Sequence, residues 1–445
     1  MQLDPIYPWQ EEALAVWKEH NYRGVIQAVT GAGKTRIAHE AIVQHLDATK
    51  GNGHILIIVP NKSLLDKWYT ELDSLNIINE SFIGRLGDGH QDQFDKPWKI
   101  LIAIDKSLAR QEYFISDYIN ENGLLIADEC HHYGAEKVSR ALAECYTKRL
   151  GLTATYDRDD NGVEKYLDPY FNFNNDFKGP CYTLNYEKAL AAEVISHFNI
   201  GFIGVELSGK ERMDYDQYDS QCHRYSAKLI NQYQITSQPF GEFMKEVVHL
   251  STSNKEGAKL AGYYLNAFGK RRQVLANACS KMDSLKELEP VILAAERTII
   301  FSQTKESAEE ASKTIKPFAK VAPLHSGMKA WERKQIFTDF EEGDTDVIAA
   351  PLLLDEGVNV PSADLAIILA CSRSKRQMIQ RMGRVIRTKR DGRVAKIVII
   401  YAKNTSEDPE SGAHQDFIEE IKKVADNYGK MYKKGGRYFI KPLER

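Results

Sequence analysis

Short apolar segments alternate with amphipathic helical segments along this sequence, and this alternation restricts the fold more than any other feature. The apolar segments have the length of buried strands. They are HILIIVP at 54–60, WKILIAI at 98–104, GLLIAD at 123–128, RTIIFS at 297–302, DVIAAP at 346–351, DLAIILA at 364–370 and AKIVIIYA at 395–402. Such strands alternating with helices predict parallel sheets that are covered on both faces. The predicted fold class is therefore α/β.

The alternation occurs twice, which predicts two domains at residues 1–192 and 193–445. A chain of 445 residues is also too long for one core, since single cores stop growing near roughly 250–300 residues. A polar, tyrosine-rich stretch at about 209–275 has helical periodicity and no strand pattern. We interpret it as a helical insertion that belongs to the second domain.

Composition excludes several classes of protein. The chain is 43% hydrophobic and 27% charged, and no segment approaches the roughly 20 apolar residues of a membrane span. The N-terminal segment MQLDPIYPWQEE has neither the basic region nor the following apolar region of a signal peptide, so we expect no secretory signal. The six cysteines are scattered without a CxxC pair, which argues against a disulfide framework and favours a reducing cytoplasm. The net charge of −3 does not decide whether nucleic acid is a partner.

The segment AVTGAGKT at 28–35 predicts a phosphate-binding loop. It follows the apolar GVIQA and precedes the helical RIAHEAIVQHL, so its backbone N–H groups would lie at a helix N-terminus. In this setting Lys34 would reach the β- and γ-phosphates of ATP, and Thr35 would bind Mg²⁺. The strict pattern has glycine at the position of Ala28.

The segment DECHH at 128–132 follows a predicted strand directly. A carboxylate at the end of such a strand can hold Mg²⁺, which gives Asp128 its predicted role. Glu129 would then orient or deprotonate the attacking water. The neighbouring Cys-His-His run cannot easily surround a tetrahedral ion, so zinc is not expected.

A third segment, QRMGRVIR at 380–387, lies in the second α/β unit. Arg384 and Arg387 would share one face of a helix, where arginines can stabilise the charge that develops during phosphoryl transfer. Gln380 is near enough in sequence to join them.

Basic and aromatic residues are mixed from Lys422 to Arg445. Such a mixture can bind phosphates and stack on bases. A solvated amphipathic helix followed by a strand would have the same composition. The sequence leaves both interpretations open.

Taken together, the motifs resemble those of superfamily 2 helicases over nearly the whole chain. The matching segments, in order, are AVTGAGKT (motif I), VPNKSLLDKW (Ia), IAIDKSLAR (Ib), DECHH (II), GLTAT (III), TIIFSQTKESA (IV), LLLDEGVNVP (V) and QRMGRVIR (VI). The resemblance implies two RecA-like domains in tandem and an ATP- and Mg²⁺-dependent motor. It also implies that Thr153 and Thr155 couple the state of ATP to domain closure. The residues implied to bind the nucleotide are Gln10, Thr30, Gly31, Ala32, Gly33, Lys34, Thr35, Asp355 and Gly357.

Within the superfamily, the chain looks most similar to the XPB-type branch of DNA helicases, and UvsW-type helicases share most of its motifs. GLTATYDRDDNG is similar to that branch's GLTAT followed by an Arg-Glu-Asp triplet. Here the triplet is Arg158, Asp159 and Asp160, with aspartate in place of glutamate. The helical insertion occupies the position of the branch's thumb. In the front motif IYPWQEEAL, Tyr7 stands where the family usually has arginine.

The resemblance implies duplex or forked DNA as the partner and 3′-to-5′ movement, in repair, recombination or defence. TAT and VPNKSLL, in place of the SAT and PTRELA of DEAD-box enzymes, favour DNA over RNA. A duplex-RNA-directed DExH helicase and a non-catalytic ATP-gated clamp are the alternatives. A protein partner or nuclease subunit is also left open, and no membrane association is expected.

Overall fold

Two eight-stranded sheets, one in each of two units, contain the buried apolar strands that the sequence predicts. The computed structural model describes residues 5–92, 99–109, 123–158, 160–172, 178–351, 363–369, 383, 385, 392–413, 415–435 and 437–442. Contacts divide the chain into the units Met1–Ala192 and Glu193–Arg445. Among the helices of the described ranges, none has both the length and the apolar character to cross a membrane.

In the first unit, the described residues form eight strands and six helices. The strands are β1 (Arg23–Ala28), β2 (His54–Val59), β3 (Ile83–Gly87), β4 (His90–Gln91), β5 (Ile100–Ile104), β6 (Gly123–Asp128), β7 (Lys148–Thr153) and β8 (Tyr182–Leu184). The helices are α1 (Pro8–Glu19), α2 (Lys34–Ala48), α3 (Lys62–Ser74), α4 (Asp105–Leu108), α5 (Asp168–Phe171) and α6 (Tyr186–Ala191). Shorter helical turns lie at Glu80–Phe82, Cys130–Gly134, Ser139–Ala141 and Val163–Leu167.

The first sheet has the strand order β4-β3-β5-β2-β6-β7-β1-β8, and only the β3–β4 pair is antiparallel. β6 is buried along its whole length, as a strand between two covered faces must be. Leu56, Leu101 and Leu125 from three neighbouring strands pack into one core with Tyr133 and Phe171. The order places β6, β7 and β1 side by side, which decides the position of the site described below.

In the second unit, the described residues form a further eight strands and eight helices. The strands are β9 (Phe198–Val205), β10 (Thr298–Ser302), β11 (Val321–Pro323), β12 (Val347–Pro351), β13 (Leu365–Ile368), β14 (Ala395–Ala402), β15 (Asn427–Lys434) and β16 (Arg437–Pro442). The helices are α7 (Gly209–Tyr233), α8 (Phe240–Ser251), α9 (Ala258–Ala276), α10 (Cys279–Glu287), α11 (Glu289–Leu293), α12 (Lys305–Ile315), α13 (Ala330–Glu342) and α14 (Gln415–Ile421). A short 3-10 turn lies at Pro409–Ser411.

The second sheet has the order β11-β12-β10-β13-β14-β9-β15-β16, again parallel except for its last pair. Its core includes Ile300, Ile367 and Ile400 from adjacent strands, with Leu285 and Ile315 from the covering helices. Two parallel sheets with helical cover confirm the predicted α/β fold of two RecA-like domains.

The helical insertion predicted at about 209–275 is formed by α7, α8 and α9. These three helices have a hydrophobic core of their own, in which Leu229, Phe243 and Tyr264 are buried. At the root of α7, the Arg212 guanidinium donates hydrogen bonds to the carbonyls of Lys403 and Asn404, at 2.7 and 3.0 Å. The insertion is therefore both a separate packing unit and tied to the loop that follows β14.

The segment from Lys422 onward does not form the helix followed by a strand that was one of the two interpretations of its sequence. α14 ends at Ile421, and β15 and β16 form an antiparallel hairpin at the edge of the sheet. The expectation of a helix after Lys422 is therefore wrong. Gly435 lies in the turn with φ 59°, a conformation that glycine adopts readily, and a Gly-Gly pair between alternating segments favours a hairpin.

Candidate active site

Three neighbouring parallel strands of the first sheet end at the same edge and bring motifs I, II and III together. Gln27 of β1 pairs with Thr153 of β7, and Asp128 of β6 pairs with Leu152 of β7. The segment AVTGAGKT continues from the end of β1, and DECHH begins at the end of β6. Crevices at the carboxyl edge of parallel sheets are where ligands of α/β proteins bind.

The AVTGAGKT segment forms a tight turn that leads directly into α2. Gly31 and Gly33 both have φ 89°, which a larger residue adopts only with strain. Lys34 is the first residue of α2, and its Nζ donates a hydrogen bond to the carbonyl of Ala28 at 3.0 Å. The hydroxyl of Thr30 is buried and has no hydrogen-bond partner among the described residues. The loop therefore fits a phosphate chain, which would supply an acceptor for this hydroxyl and for the N–H groups of the helix terminus.

Gln10, which the resemblance implies to bind the nucleotide, is buried, and both of its amide atoms form hydrogen bonds to backbone groups. Its Oε1 accepts from the N–H of Tyr7 at 2.9 Å, and its Nε2 donates to the carbonyl of Gly33 at 3.0 Å. The glutamine therefore joins the start of α1 to the phosphate loop. Of the two aromatic residues beside it, Trp9 is buried against Tyr182, whereas Tyr7 is 53% exposed.

A tryptophan holds the carboxylate of Asp128. The indole N–H of Trp68, from α3, donates to Asp128 Oδ2 at 2.9 Å, and the backbone N–H of Glu129 donates to Oδ1 at 3.0 Å. Both oxygens are thereby fixed at the end of β6. Trp68 is the last residue of motif Ia, and the motif alone predicts no role for it. The signal that could have found it is a large N–H donor in a motif that follows the strand beside β6.

His39 packs against Trp68 and lies near Glu71. The ring of His39, from α2, meets the indole edge-on with ring centroids 5.3 Å apart, and its Nε2 lies 3.8 Å from Glu71 Oε2. Burial lowers the pKa of His39 to about 4, so the imidazole is neutral at neutral pH. Burial also raises the pKa of Glu71. The indole therefore packs against a neutral imidazole, while its N–H group is bonded to Asp128.

Glu129 adopts the left-handed backbone conformation, with φ 47° and ψ 49°. For a residue with a Cβ, such a conformation costs about 1–3 kcal/mol and is concentrated at functional sites. The turn aims the chain into the short helix Cys130–Gly134, where His131 is fully buried. His131 Nδ1 lies 3.5 Å from Glu129 Oε2 and 3.0 Å from the hydroxyl of Thr153. One imidazole therefore connects motif II to motif III.

Thr153 of motif III and Arg158 of the following triplet both contact His131. Thr153 donates to the carbonyl of Thr155 at 2.8 Å and accepts from the Thr155 N–H at 3.1 Å. The guanidinium of Arg158 forms a two-pronged pair with Asp160 at 2.6 and 2.7 Å, and it also donates to the carbonyl of His131. The arginine of the triplet is therefore bonded to the backbone of the DECHH turn.

The remaining predicted site residues lie outside the described part of the chain. They are Asp159, Asp355, Gly357, Gln380, Arg384 and Arg387. Their roles stay predictions.

Comparisons with known proteins agree with this geometry. The family model described as type III restriction enzyme, res subunit, matches residues 4–158, and the helicase conserved C-terminal domain matches residues 280–389. The DNA 3′-5′ translocase XPB2 of Sulfurisphaera tokodaii is 29% identical over 401 residues, 90% of this chain and 82% of the relative. The chain is a superfamily 2 helicase. Because helicase domains imply ATP hydrolysis, its enzyme class is ATP hydrolase, and the predicted resemblance to the XPB-type branch is confirmed.

Two more distant proteins show how far the likeness extends. The Rad25 protein of Haloarcula marismortui is 24% identical over 86% of this helicase, which spans about half (50%) of that relative's length. The structure of S. cerevisiae Dbp5 bound to RNA and ADP BeF3 has a TM-score of 0.59 at 14% identity, covering 96% of this chain and 90% of that chain. At this identity the structural likeness shows the fold alone.

The contact between Trp68 and Asp128 can be tested by removing only the N–H group. We expect Trp68→Phe to raise the Mg²⁺ concentration needed for half-maximal binding of a fluorescent ATP analogue by about tenfold, since partners behind a metal ligand typically contribute ~10–100-fold in affinity. Phenylalanine keeps a ring against His39 but cannot hold Asp128 Oδ2. The measurement is a Mg²⁺ titration at fixed nucleotide, with thermal unfolding of the same samples.

Trp17→Phe is the matched control. Trp17 is buried in the same unit, and its indole N–H donates to the carbonyl of Arg149 at 3.0 Å. Its replacement removes the same kind of hydrogen bond without touching Asp128, so stability should fall while the Mg²⁺ requirement stays unchanged. Equal Mg²⁺ requirements in the two variants would contradict an orienting role for Trp68.

Proposed function

We propose that this helicase hydrolyses ATP to move along or unwind DNA with 3′-to-5′ polarity. The observation that carries the proposal is the meeting of Lys34, Asp128 and Glu129 at one edge of the first sheet. The name of XPB2, a DNA 3′-5′ translocase that matches 90% of the chain, supports DNA as the substrate and the direction of movement. The assignment of the motifs to domains 1–192 and 193–445 belongs to the same proposal.

We propose that the phosphate loop and the end of β6 bind ATP with Mg²⁺. Lys34 would release the carbonyl of Ala28 and reach the β- and γ-phosphates, while the backbone of residues 30–33 surrounds them. Thr35 and Asp128 would hold Mg²⁺, which would help to neutralise the negative charge of the phosphate chain. Tyr7 and Gln10 would contact the adenine, with Gln10 keeping its bond to the loop.

We assign the proton transfer to Glu129. Its carboxylate would accept a proton from the attacking water as the water approaches the γ-phosphate. In the second unit, Arg384 and Arg387, with Gln380 nearby in sequence, would stabilise the charge on the transferred phosphoryl group. Asp355 and Gly357 would also contribute to nucleotide binding.

We assign coupling to the contacts around His131. Loss of the γ-phosphate changes what surrounds Glu129, and His131 touches both Glu129 and Thr153. The hydroxyl of Thr155 is buried without a partner among the described residues, so it can accept a new contact when motif III moves. Arg158 and Asp160, with Asp159 between them, would hold the DECHH turn during this movement, so aspartate in place of glutamate leaves the arginine contact in place.

The helical insertion is the proposed loading element for DNA. Its separate core allows α7 to α9 to act as one body, and its root is fixed to the loop after β14. Backbone contacts would dominate DNA binding at this element and across the motor, without sequence preference. A cytoplasmic location, inferred from the scattered cysteines, stays a prediction.

The test is steady-state ATPase activity without nucleic acid and with single-stranded DNA, blunt duplex DNA, forked DNA and duplex RNA. We expect duplex or forked DNA to stimulate turnover most strongly, because movement on the lattice is what hydrolysis drives. Glu129→Gln, measured in parallel, excludes a contaminating ATPase. Stimulation by duplex RNA alone would replace DNA by RNA as the substrate, and nucleotide binding without turnover on any lattice would leave an ATP-gated clamp.

A further inference from the structure

The hairpin β15–β16 places basic and aromatic residues opposite one another on one face. In its antiparallel register, Lys430 lies opposite Lys441, Tyr432 opposite Phe439 and Lys434 opposite Arg437. Side chains at alternate positions of a strand point to the same side of the sheet. We call Lys430, Tyr432, Lys434, Phe439 and Lys441 the basic-aromatic face.

The opposite face of the hairpin packs against the core of the second unit. This packing does not involve the basic-aromatic face. Met431 and Tyr438 alternate with the residues of the basic-aromatic face and pack against the core of the second sheet. The hydroxyl of Tyr438 also contacts Glu287 of α10 at 3.5 Å. Packing therefore accounts for one side of the hairpin and leaves the rings on the opposite side without a role in the core.

These two rings lie on the surface as a stacked pair. Tyr432 is 46% and Phe439 45% exposed, with ring centroids 5.9 Å apart and ring planes inclined by 29°. Cross-strand aromatic pairs stabilise a hairpin, but two half-exposed rings still present apolar faces to water. Flat, exposed rings of this kind are the surfaces on which unpaired bases stack.

The charges beside the rings have one sign. Like charges directly opposite each other across two strands destabilise a hairpin, so the Lys430–Lys441 pair has an energetic cost. Glu410 relieves part of it by pairing with Lys430 at 2.5 Å, while Lys434, beside the turn, and Lys441, opposite Lys430, are exposed. A chain of phosphates would neutralise these lysines and release counterions.

We propose that the basic-aromatic face is an accessory binding surface for single-stranded DNA. One or two unpaired bases would stack on Tyr432 and Phe439, and the neighbouring phosphates would contact Lys434 and Lys441. A duplex keeps its bases stacked inside and cannot use the rings, so the surface selects the separated strand. The proposal rests on the proposed function only for the choice of DNA as the nucleic acid.

The test measures binding without ATP, so that it does not depend on turnover. The probe is fluorescein-labelled oligothymidylate of about 20 nucleotides, longer than the ~4–16 nucleotides of typical single-strand sites, and its abasic counterpart. We expect Tyr432→Ala with Phe439→Ala to weaken binding of the thymidine probe by about tenfold, because each base that stacks on a ring adds to the affinity. Binding of the abasic probe should hardly change, because it has no bases to stack.

Two adjacent lysines on opposite faces supply the matched control. Lys434→Gln should reduce the slope of log affinity against log salt by about 0.7, the value for one phosphate contact on a single strand. Lys433 lies opposite Tyr438 and therefore on the other face, so Lys433→Gln should leave the slope unchanged. Trp331→Ala, which removes a 65% exposed ring elsewhere in this unit, should leave binding of both probes unchanged.

Thermal unfolding of each variant distinguishes loss of the binding surface from loss of the fold. If the aromatic variant unfolds, Lys433→Gln and Lys434→Gln still test the proposal. Equal effects of Lys433→Gln and Lys434→Gln, or an equal loss for both probes in the aromatic variant, would overturn the proposal. Preference of the surface for oligouridylate RNA over the DNA probe would overturn the choice of DNA. If the proposed function is wrong, no nucleic acid will stimulate ATP hydrolysis. The affinities for the two probes are measured without ATP, so they still test the basic-aromatic face.

Discussion

Lys34→Ala is expected to give a folded protein that no longer hydrolyses ATP at a measurable rate. The Nζ of Lys34 donates to the carbonyl of Ala28 at the start of α2. Losing that hydrogen bond costs the fold only about 0.5–1.5 kcal/mol. In the proposed mechanism the same ammonium neutralises the transferred phosphate, where one missing electrostatic contact typically lowers turnover by ~10²–10³-fold. Steady-state ATPase activity and thermal unfolding, measured on the same preparation, check both parts.

Arg36→Ala is the control for this variant. Arg36 is a cation on the same helix, two residues further along, and its side chain pairs with Glu40 at 3.3 Å. Its loss removes a positive charge near the phosphate loop without removing the ammonium that points into it, so turnover should stay within about twofold of the wild type, as expected for a partly exposed i,i+4 pair. Equal losses in the two variants would mean that general positive charge, and not the position of Lys34, supports hydrolysis.

Glu129→Gln is expected to separate binding from chemistry. Glutamine has the same shape and can occupy the same left-handed turn, but it cannot accept a proton from water. Loss of a general base lowers turnover by about 10²–10⁴-fold. Affinity for a fluorescent ATP analogue should stay near that of the wild type, because Lys34, Thr35 and Asp128 are unchanged. Single-turnover hydrolysis and equilibrium binding measure the two quantities separately.

Glu136→Gln tests whether any acidic residue near the turn has the same effect. Glu136 is exposed and follows the short helix Cys130–Gly134, so its change should leave both binding and turnover unaltered. Wild-type turnover in Glu129→Gln would place water activation on another group. Loss of ATP binding along with turnover would give Glu129 a structural role in the DECHH turn and remove it from proton transfer.

Local patterns in the sequence were sufficient to predict the fold class and to locate motifs I to III. The apolar segments became β2, β5 and β6 because a strand buried on both faces must be apolar along its length. The turn at Gly31 and Gly33 follows from glycine's freedom at positive φ, which is also a local property. The tail shows where such patterns fail, because the same alternation of Lys and Tyr suits either a helix or a hairpin until a neighbouring strand is present to pair with.

Tertiary structure alone decided which groups surround these motifs. Trp68 meets Asp128, Gln10 meets Gly33, and His131 meets Thr153, although each pair is separated by many residues in the chain. The physical reason is that the contacts depend on strand order. The sheet places β2 beside β6 and β7 between β6 and β1, and no local propensity encodes that order. Hydrophobic periodicity reports which face of a strand is buried, whereas the partner across the edge of the sheet is chosen only when all the strands pack together.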